Sequence, residues 1–253
     1  MNVILIPQQK LAISEVMRAL DGTACNADNL GVLLVGSPGV GTSTCINEVK
    51  TITKRKFIDL KAIDFQSVGC LGRWLGNILG LDDVRISMKI KVSTPVVSML
   101  NVMGVSMLIL EDAHDVNSSG TGSNALYRII EEFDRIKSAM PKIKLLLTVE
   151  AAELPSMKLS EAYLSKMFTV INISPITFDN LVFLVKKIYL SEPAGSPLPA
   201  LSDRVLMAIF RFSKGSVGRA IFILELIKHD LASGGLQKKN DAGIIQFISR
   251  FEG

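Results

Sequence analysis

The run Gly36-Ser37-Pro38-Gly39-Val40-Gly41-Thr42-Ser43, with Thr44 behind it, has residue types and spacing suited to holding phosphate. The P-loop pattern is GxxxxGK[ST] between a strand and a helix. Gly36 and Gly41 fall on its glycine positions and Ser43 on its hydroxyl position. Glycines let successive backbone N–H groups curl around phosphate oxygens, and the N-terminus of the helix that follows adds partial positive charge. The hydroxyl holds Mg²⁺, and the lysine neutralises the β- and γ-phosphates. In this chain the lysine position is Thr42. A threonine donates one neutral hydrogen bond, worth roughly 1 kcal/mol against about 1.5–3 kcal/mol for a charge-assisted one. Weakened nucleotide binding and still slower hydrolysis are therefore expected. The plain alternative is a glycine-rich strand-to-helix turn with no ligand.

A second set of residues lies at Leu108-Ile109-Leu110-Glu111-Asp112-Ala113-His114. An apolar run closing on two acids is the Walker B arrangement: the first acid orients the Mg²⁺ shell and the second polarises the attacking water. The common order is Asp-Glu, and here it is Glu-Asp. Glu111 is long enough to reach the metal shell, directly or through a water. Asp112 is one methylene short for the general-base role. His114 has the alternative reading of an exposed turn histidine.

These residues need a scaffold, and the sequence supplies one. Residues 9–20 carry apolar positions at helical spacing. Continuous apolar runs at 31–35, 106–110, 144–149 and 168–173 read as strands buried on both faces, with a further strand near 57–65. Between them lie helical patterns over 42–53, 68–79, 94–103 and 123–138. Strands alternating with helices imply an α/β fold with a parallel sheet flanked by helices. After Pro175 the pattern becomes helical, over 177–192, 200–212 and 217–232, broken by a Pro-rich turn at 193–199. The expected division is an α/β nucleotide-binding core with its N-terminal helix over 1–175, and a helical lid with a tail over 176–253.

Composition narrows the classes. The chain has 253 residues, 48% hydrophobic and 21% charged, which excludes disorder as its main state. Its 28 Lys and Arg against 24 Asp and Glu give +4, a balance that permits a nucleic-acid partner without requiring one. Three cysteines, Cys25, Cys45 and Cys70, with no CxxC spacing, and two histidines argue against a disulfide framework or a Cys/His zinc site. No stretch approaches the roughly 20 apolar residues of a membrane span. The N-terminal Val3-Ile4-Leu5-Ile6 stops at Pro7, too short for a secretory segment. A cytoplasmic protein with no membrane partner is expected.

With these motifs in place, the chain resembles the AAA+ ATPases that regulate DNA transposition, the TniB, TnsC and Mu B group. It is similar, less closely, to the general-secretion ATPase ExeA. The likeness runs over nearly the whole chain, through the P-loop strand, the segment Trp74-Leu75-Gly76-Asn77-Ile78-Leu79-Gly80, the LILEDAH run and the helical lid. It implies a sensor 1 role for Thr148 at the end of an apolar strand, and a sensor 2 role for Arg219, in Gly218-Arg219-Ala220, reaching the γ-phosphate. Strand-end and helix-surface polar residues are the alternatives for these two. Relatives carry an arginine before the last core strand that completes a neighbour's site. Here Lys166 stands in, a point charge rather than a guanidinium fork. Thr42, the Glu111-Asp112 order and Lys166 thus depart together, while Gly36, Gly41 and Ser43 stay.

The resemblance further implies ATP or ADP with Mg²⁺ as weakly held cofactors, and subunits stacked into a ring or helical filament on duplex DNA. It also implies a transposase as partner, with a target-selector protein as a further one. DNA-facing positions map to Arg85, Lys89, Lys91 and Thr94, and to Asn117 and Thr121 in the loop after the acids. Such residues grip phosphates without reading bases; a solvated basic strand is the alternative. Lys54-Arg55-Lys56 is read as complementing the C-terminal dipole of the P-loop helix, with DNA contact as the other possibility. The expectation is a transposition accessory protein with nucleotide as an assembly switch. Three alternatives stand beside it: a working ATPase whose missing charge comes from a neighbouring subunit, a nucleotide-independent adaptor, and a signalling or initiator NTPase of the same fold. The absence of a helix-turn-helix after the lid counts against the last.

Overall fold

In strand β1 (Gly31–Gly36) every residue is buried, and in β4 (Lys144–Glu150) all but the last. Alternation would appear if one face met water, so both strands lie inside a sheet covered on both sides. A computed structural model describes residues 4–22, 29–62, 69–81, 93–118, 125–157, 159–190, 201–233 and 240–251. Its five strands run in the order β2-β3-β4-β1-β5, with β2 at Lys56–Lys61, β3 at Val105–Glu111 and β5 at Phe168–Ile173. The pairs β2–β3, β3–β4 and β4–β1 are parallel. Strand β2 is mostly exposed or half-buried and carries Lys56, Asp59 and Lys61, the charged composition that protects a sheet edge.

The chain divides into two compact units. The larger comprises Ala12–Gly36 and Thr42–Asn172. It holds the sheet and a core built around Trp74, Phe133 and Phe168 with the strand residues Leu33, Leu108 and Leu145. Helices α2 (Thr42–Ile52), α3 (Leu71–Ile78), α4 (Thr94–Val102), α5 (Asp115–Ser118), α6 (Ala125–Ala139) and α7 (Glu161–Met167) belong to it. Helix α3 has no side-chain cap from its N-cap residue Cys70. Instead the buried carboxylate of Glu132, on α6, accepts the Gly72 N–H at 3.1 Å. That bond supplies a partner for one of the orphan donors of a helix start.

The second unit comprises residues 1–11, 37–41 and 173–253. Its apolar core joins Ile6 and Ile176 to residues of α8 (Phe178–Leu190), α9 (Asp203–Ser213) and α10 (Val217–Ala232). Ser202 and Ser216 cap α9 and α10 by accepting the N–H of Val205 and Arg219. A further helix, α11 (Asp241–Ser249), lies where a tail was expected. Asn240 caps it, Ile244 and Ile248 bury its inner face, and Asp241 accepts a 2.6 Å hydrogen bond from Ser202. Helix α1 (Pro7–Leu20) begins in this unit and ends in the larger one. The residues that sort with the C-terminal helices include 1–11 and the phosphate loop 37–41, which the sequence pattern places with the core.

Candidate nucleotide site

Parallel strands end at one edge of the sheet, and the motif residues of the larger unit end there together. In register, Leu34 pairs with Thr148, Gly36 with Glu150, and Leu110 with Leu147. Gly36, Thr148 and Glu111 therefore share the carboxyl edge, where open α/β sheets take their ligands. Beyond Glu111 the chain turns at Asp112, whose φ of 49° is left-handed, a conformation aspartate tolerates better than most residues. Thr148 holds this turn. Its hydroxyl accepts the Asp112 N–H at 2.8 Å, and its carbonyl accepts the Ala113 N–H at 2.8 Å. The Thr148 side chain, 2% exposed, thus fixes the backbone between the two acids and keeps its own hydroxyl proton to donate. The Asp112 side chain is exposed. His114 is not an exposed turn residue: its side chain is 14% exposed, Nε2 lies 3.6 Å from Asp115, and Nδ1 is buried without a hydrogen-bond partner among the described residues.

The sequence reading missed Lys50. This residue, two turns into α2, places its ammonium 2.8 Å from Glu111 Oε1 and 2.9 Å from Asp59 Oδ1. Strand register explains the convergence, because Asp59 sits opposite Ile109 and Lys61 opposite Glu111. Strand period two then puts Asp59 and Glu111 on one face of the sheet. Burial is the largest single influence on Lys50 and pulls its pKa down. The hydrogen bonds and charges of Asp59 and Glu111 together outweigh it, so the pKa stands above the ordinary lysine value. A cavity of about 320 Å³ opens beside the trio, lined among others by Lys61, Asp112 and Asp115. The expected Mg²⁺ donors are Ser43 and Glu111. With an ammonium already on the Glu111 carboxylate, this donor set does not suit a divalent cation. On the same helix the Cys45 thiol is fully buried, which pushes its pKa up to about 12 and leaves it inert as a nucleophile.

The loop itself lies in the other unit. Gly39 and Gly41 have φ of 77° and 94°, so these are the positions that require glycine for conformation, whereas Gly36 is a strand residue. The loop carbonyls are tied down. Gly39 O accepts the Gly218 N–H at 3.1 Å and the Ser216 hydroxyl at 3.3 Å, both from the start of α10. Val40 O accepts the side-chain amide of the buried Gln9 at 2.9 Å, and the same Gln9 accepts the Ile6 N–H. A trans peptide points its N–H opposite to its C=O. Fixing the Val40 carbonyl therefore also aims the Gly41 N–H. A Cβ on Gly39 would lie 2.1 Å from Ser216 Oγ, so even alanine is excluded there without movement.

Ser37, Gly41, Thr42 and Thr44 are half-buried, Val40 is buried, and Pro38, Gly39 and Ser43 are exposed. Arg219 is exposed in the first turn of α10, whose N-terminal backbone holds Gly39. Lys166 is exposed in the last turn of α7, with no described bond to the acids. Thr94 is exposed at the start of α4, and Asn117 lies in α5. Arg85, Lys89, Lys91 and Thr121 lie outside the described residues. Arg55 serves a helix other than the expected one: it donates to Leu20 O at 2.6 Å and pairs with Asp21 at 3.6 Å, closing α1 rather than α2.

No protein-family model and no curated protein matches the sequence. Solved structures do match. AMPPCP-bound DnaA from Aquifex aeolicus aligns at 18% identity and TM-score 0.57, over 94% of this chain and 66% of that one. The Aeropyrum pernix ORC1 protein in complex with DNA aligns at 16% and 0.56, over 98% and 65%. The FIGL-1 AAA domain in complex with ADP aligns at 14% and 0.53, over 98% and 82%. The chain thus spans just under two thirds of the first two proteins. Among the described residues no helix is long and apolar enough to cross a membrane. With its parallel sheet, glycine loop and C-terminal helices, the chain has the fold of the AAA+ P-loop ATPases.

Proposed function

We propose that this chain is a nucleotide-responsive, DNA-assembling protein of the AAA+ type, with hydrolysis weak or absent. In its finer form the proposal is an accessory role in transposition: subunits assemble on target duplex DNA and recruit or activate a transposase. The observation that carries the first part is that the Glu111 carboxylate is already engaged by Lys50. The loop keeps the glycines and carbonyl anchors for a phosphate cradle, yet Thr42 supplies no charge, and the Glu111 carboxylate is engaged by Lys50. An engaged acid and a loop without a lysine each favour binding over turnover. The DNA part is supported by the fold shared with a protein solved on DNA, and by the basic residues Arg85, Lys89 and Lys91. The transposition part is supported by the sequence resemblance alone. One observation favours a second reading, a working ATPase completed by a neighbour: Lys166 is exposed at the end of α7 and accessible to another subunit.

Fluorescence anisotropy of a labelled duplex of arbitrary sequence, titrated at low salt with and without ATP, tests the proposal. Binding is expected to tighten about tenfold or more with ATP, a coupling of about 1.4 kcal/mol. Equal binding in both conditions would leave a scaffold that does not respond to nucleotide. Steady phosphate release on DNA would instead favour the completed ATPase.

A further inference from the structure

Divalent magnesium is usually held by one or two carboxylates together with substrate phosphates, and it sheds its waters reluctantly. The carboxylate it would use here already has a cation. Lys50 reaches Glu111 at 2.8 Å and Asp59 at 2.9 Å, and its side chain is only 17% exposed, so the ammonium is held rather than sampled. All three residues lie in the sheet-bearing unit, on one face of neighbouring strands and the helix that packs there. A divalent ion at Glu111 must either displace this ammonium, which breaks its bond to Glu111, or sit against it, where like charges repel. The positive charge absent from Thr42 is thus not absent from the chain. It stands eight residues later, on the acid instead of the phosphate.

We infer that Lys50 is a built-in counter-ion that takes the place of the metal at Glu111, so that the chain binds nucleotide with little or no help from Mg²⁺. This inference rests on the nucleotide-binding reading given above and specifies its cofactor requirement. Lys50 acts through Glu111 and is a positioning residue: it holds the carboxylate in a compensated state.

The test is a fluorescence titration of N-methylanthraniloyl-ATP in EDTA and in Mg²⁺, with wild type, Lys50→Met and Asp59→Asn. Wild type is expected to give dissociation constants within about threefold of each other in the two buffers. Lys50→Met frees the carboxylate and is expected to bind about tenfold tighter with Mg²⁺ than without. Asp59→Asn keeps the Lys50–Glu111 bond and is expected to stay as indifferent as wild type. A wild type that Mg²⁺ tightens about tenfold overturns the inference while leaving the nucleotide site intact, and it does so without reliance on any variant. Indifference in Lys50→Met, or a new Mg²⁺ response in Asp59→Asn, overturns it as well. No binding by wild type in either buffer overturns the nucleotide reading itself and this inference with it.

Discussion

At Thr42 a neutral hydroxyl stands where a phosphate-binding lysine would, and the nearest lysine on the same helix is committed elsewhere. Lys50 is eight residues on, roughly 12 Å along the helix axis, with its ammonium on Asp59 and Glu111. Thr42→Lys is therefore expected to raise ATP affinity about tenfold, the difference between a neutral and a charge-assisted hydrogen bond. Isothermal titration calorimetry reads this directly, and an unchanged affinity would mean that the charge already arrives from another subunit. Turnover is expected to stay low in the same variant, because the Lys50–Glu111 bond and the Asp112 position are untouched. At this scale the sequence was informative about which residues are present and silent about how they pair. Glu111, Asp112 and Thr148 were all visible as motif positions. That the Thr148 hydroxyl grips the Asp112 N–H, and that Lys50 answers Glu111, depends on strand register, which no local pattern encodes. The one available hint was a lysine on the inner side of the P-loop helix, where the neighbouring Ile46 and Val49 are buried.

The phosphate loop is anchored by elements, not by its own residues. The start of α10 binds the Gly39 carbonyl twice over, and Gln9 of α1 binds the next carbonyl. Gly39→Ala must meet both a left-handed φ and the Ser216 hydroxyl. It is expected to cost about 2 kcal/mol, a fall of roughly 4–8 °C in melting temperature for a chain of this size. Ser216→Ala removes a helix cap and one loop bond, at about 1 kcal/mol. The double variant is expected to be less destabilised than the sum, since removing the hydroxyl removes the 2.1 Å contact and leaves only the Ser216 Cβ at 3.0 Å. Thermal melts of the four proteins decide this, and strict additivity would mean that Gly39 and Ser216 do not meet. Elements differed in how readable they were. The buried strands were evident because short continuous apolar runs such as Leu145-Leu146-Leu147, alternating with helical patterns, are typical of a sheet covered on both faces. Helix α11 was not evident, because its burial rests on only Ile244 and Ile248 within nine residues, too few to display a period. The grouping of loop 37–41 with the C-terminal helices was equally hidden. It follows from Ser216, Gly218 and Gln9 finding two carbonyls, contacts that join residues far apart in the chain.

For the molecule as a whole, the modest charge of +4 matters less than its distribution. A protein that tracks duplex DNA through phosphates releases counterions, and its affinity falls with salt at a slope of about 0.9 per phosphate neutralised. Arg85, Lys89 and Lys91 concentrate three cations in one short segment, flanked by the hydroxyls of Ser93 and Thr94. Arg55, by contrast, is occupied with Leu20 and Asp21, so the Lys54-Arg55-Lys56 cluster offers less than its composition suggests. If each of the three cations meets one phosphate, replacing them together with alanine is expected to reduce the slope of log K against log salt by about 2.7. The loss should be the same on duplexes of different sequence, because phosphates carry no base information. Anisotropy titrations across a salt series, on two unrelated duplexes, measure both quantities. An unchanged slope would move the DNA surface away from this segment, whereas a loss confined to one duplex would mean base reading. A reduced and sequence-independent slope, together with ATP-dependent tightening, would tie the loop held by α10 to assembly on DNA, the coupling that a nucleotide switch without turnover requires.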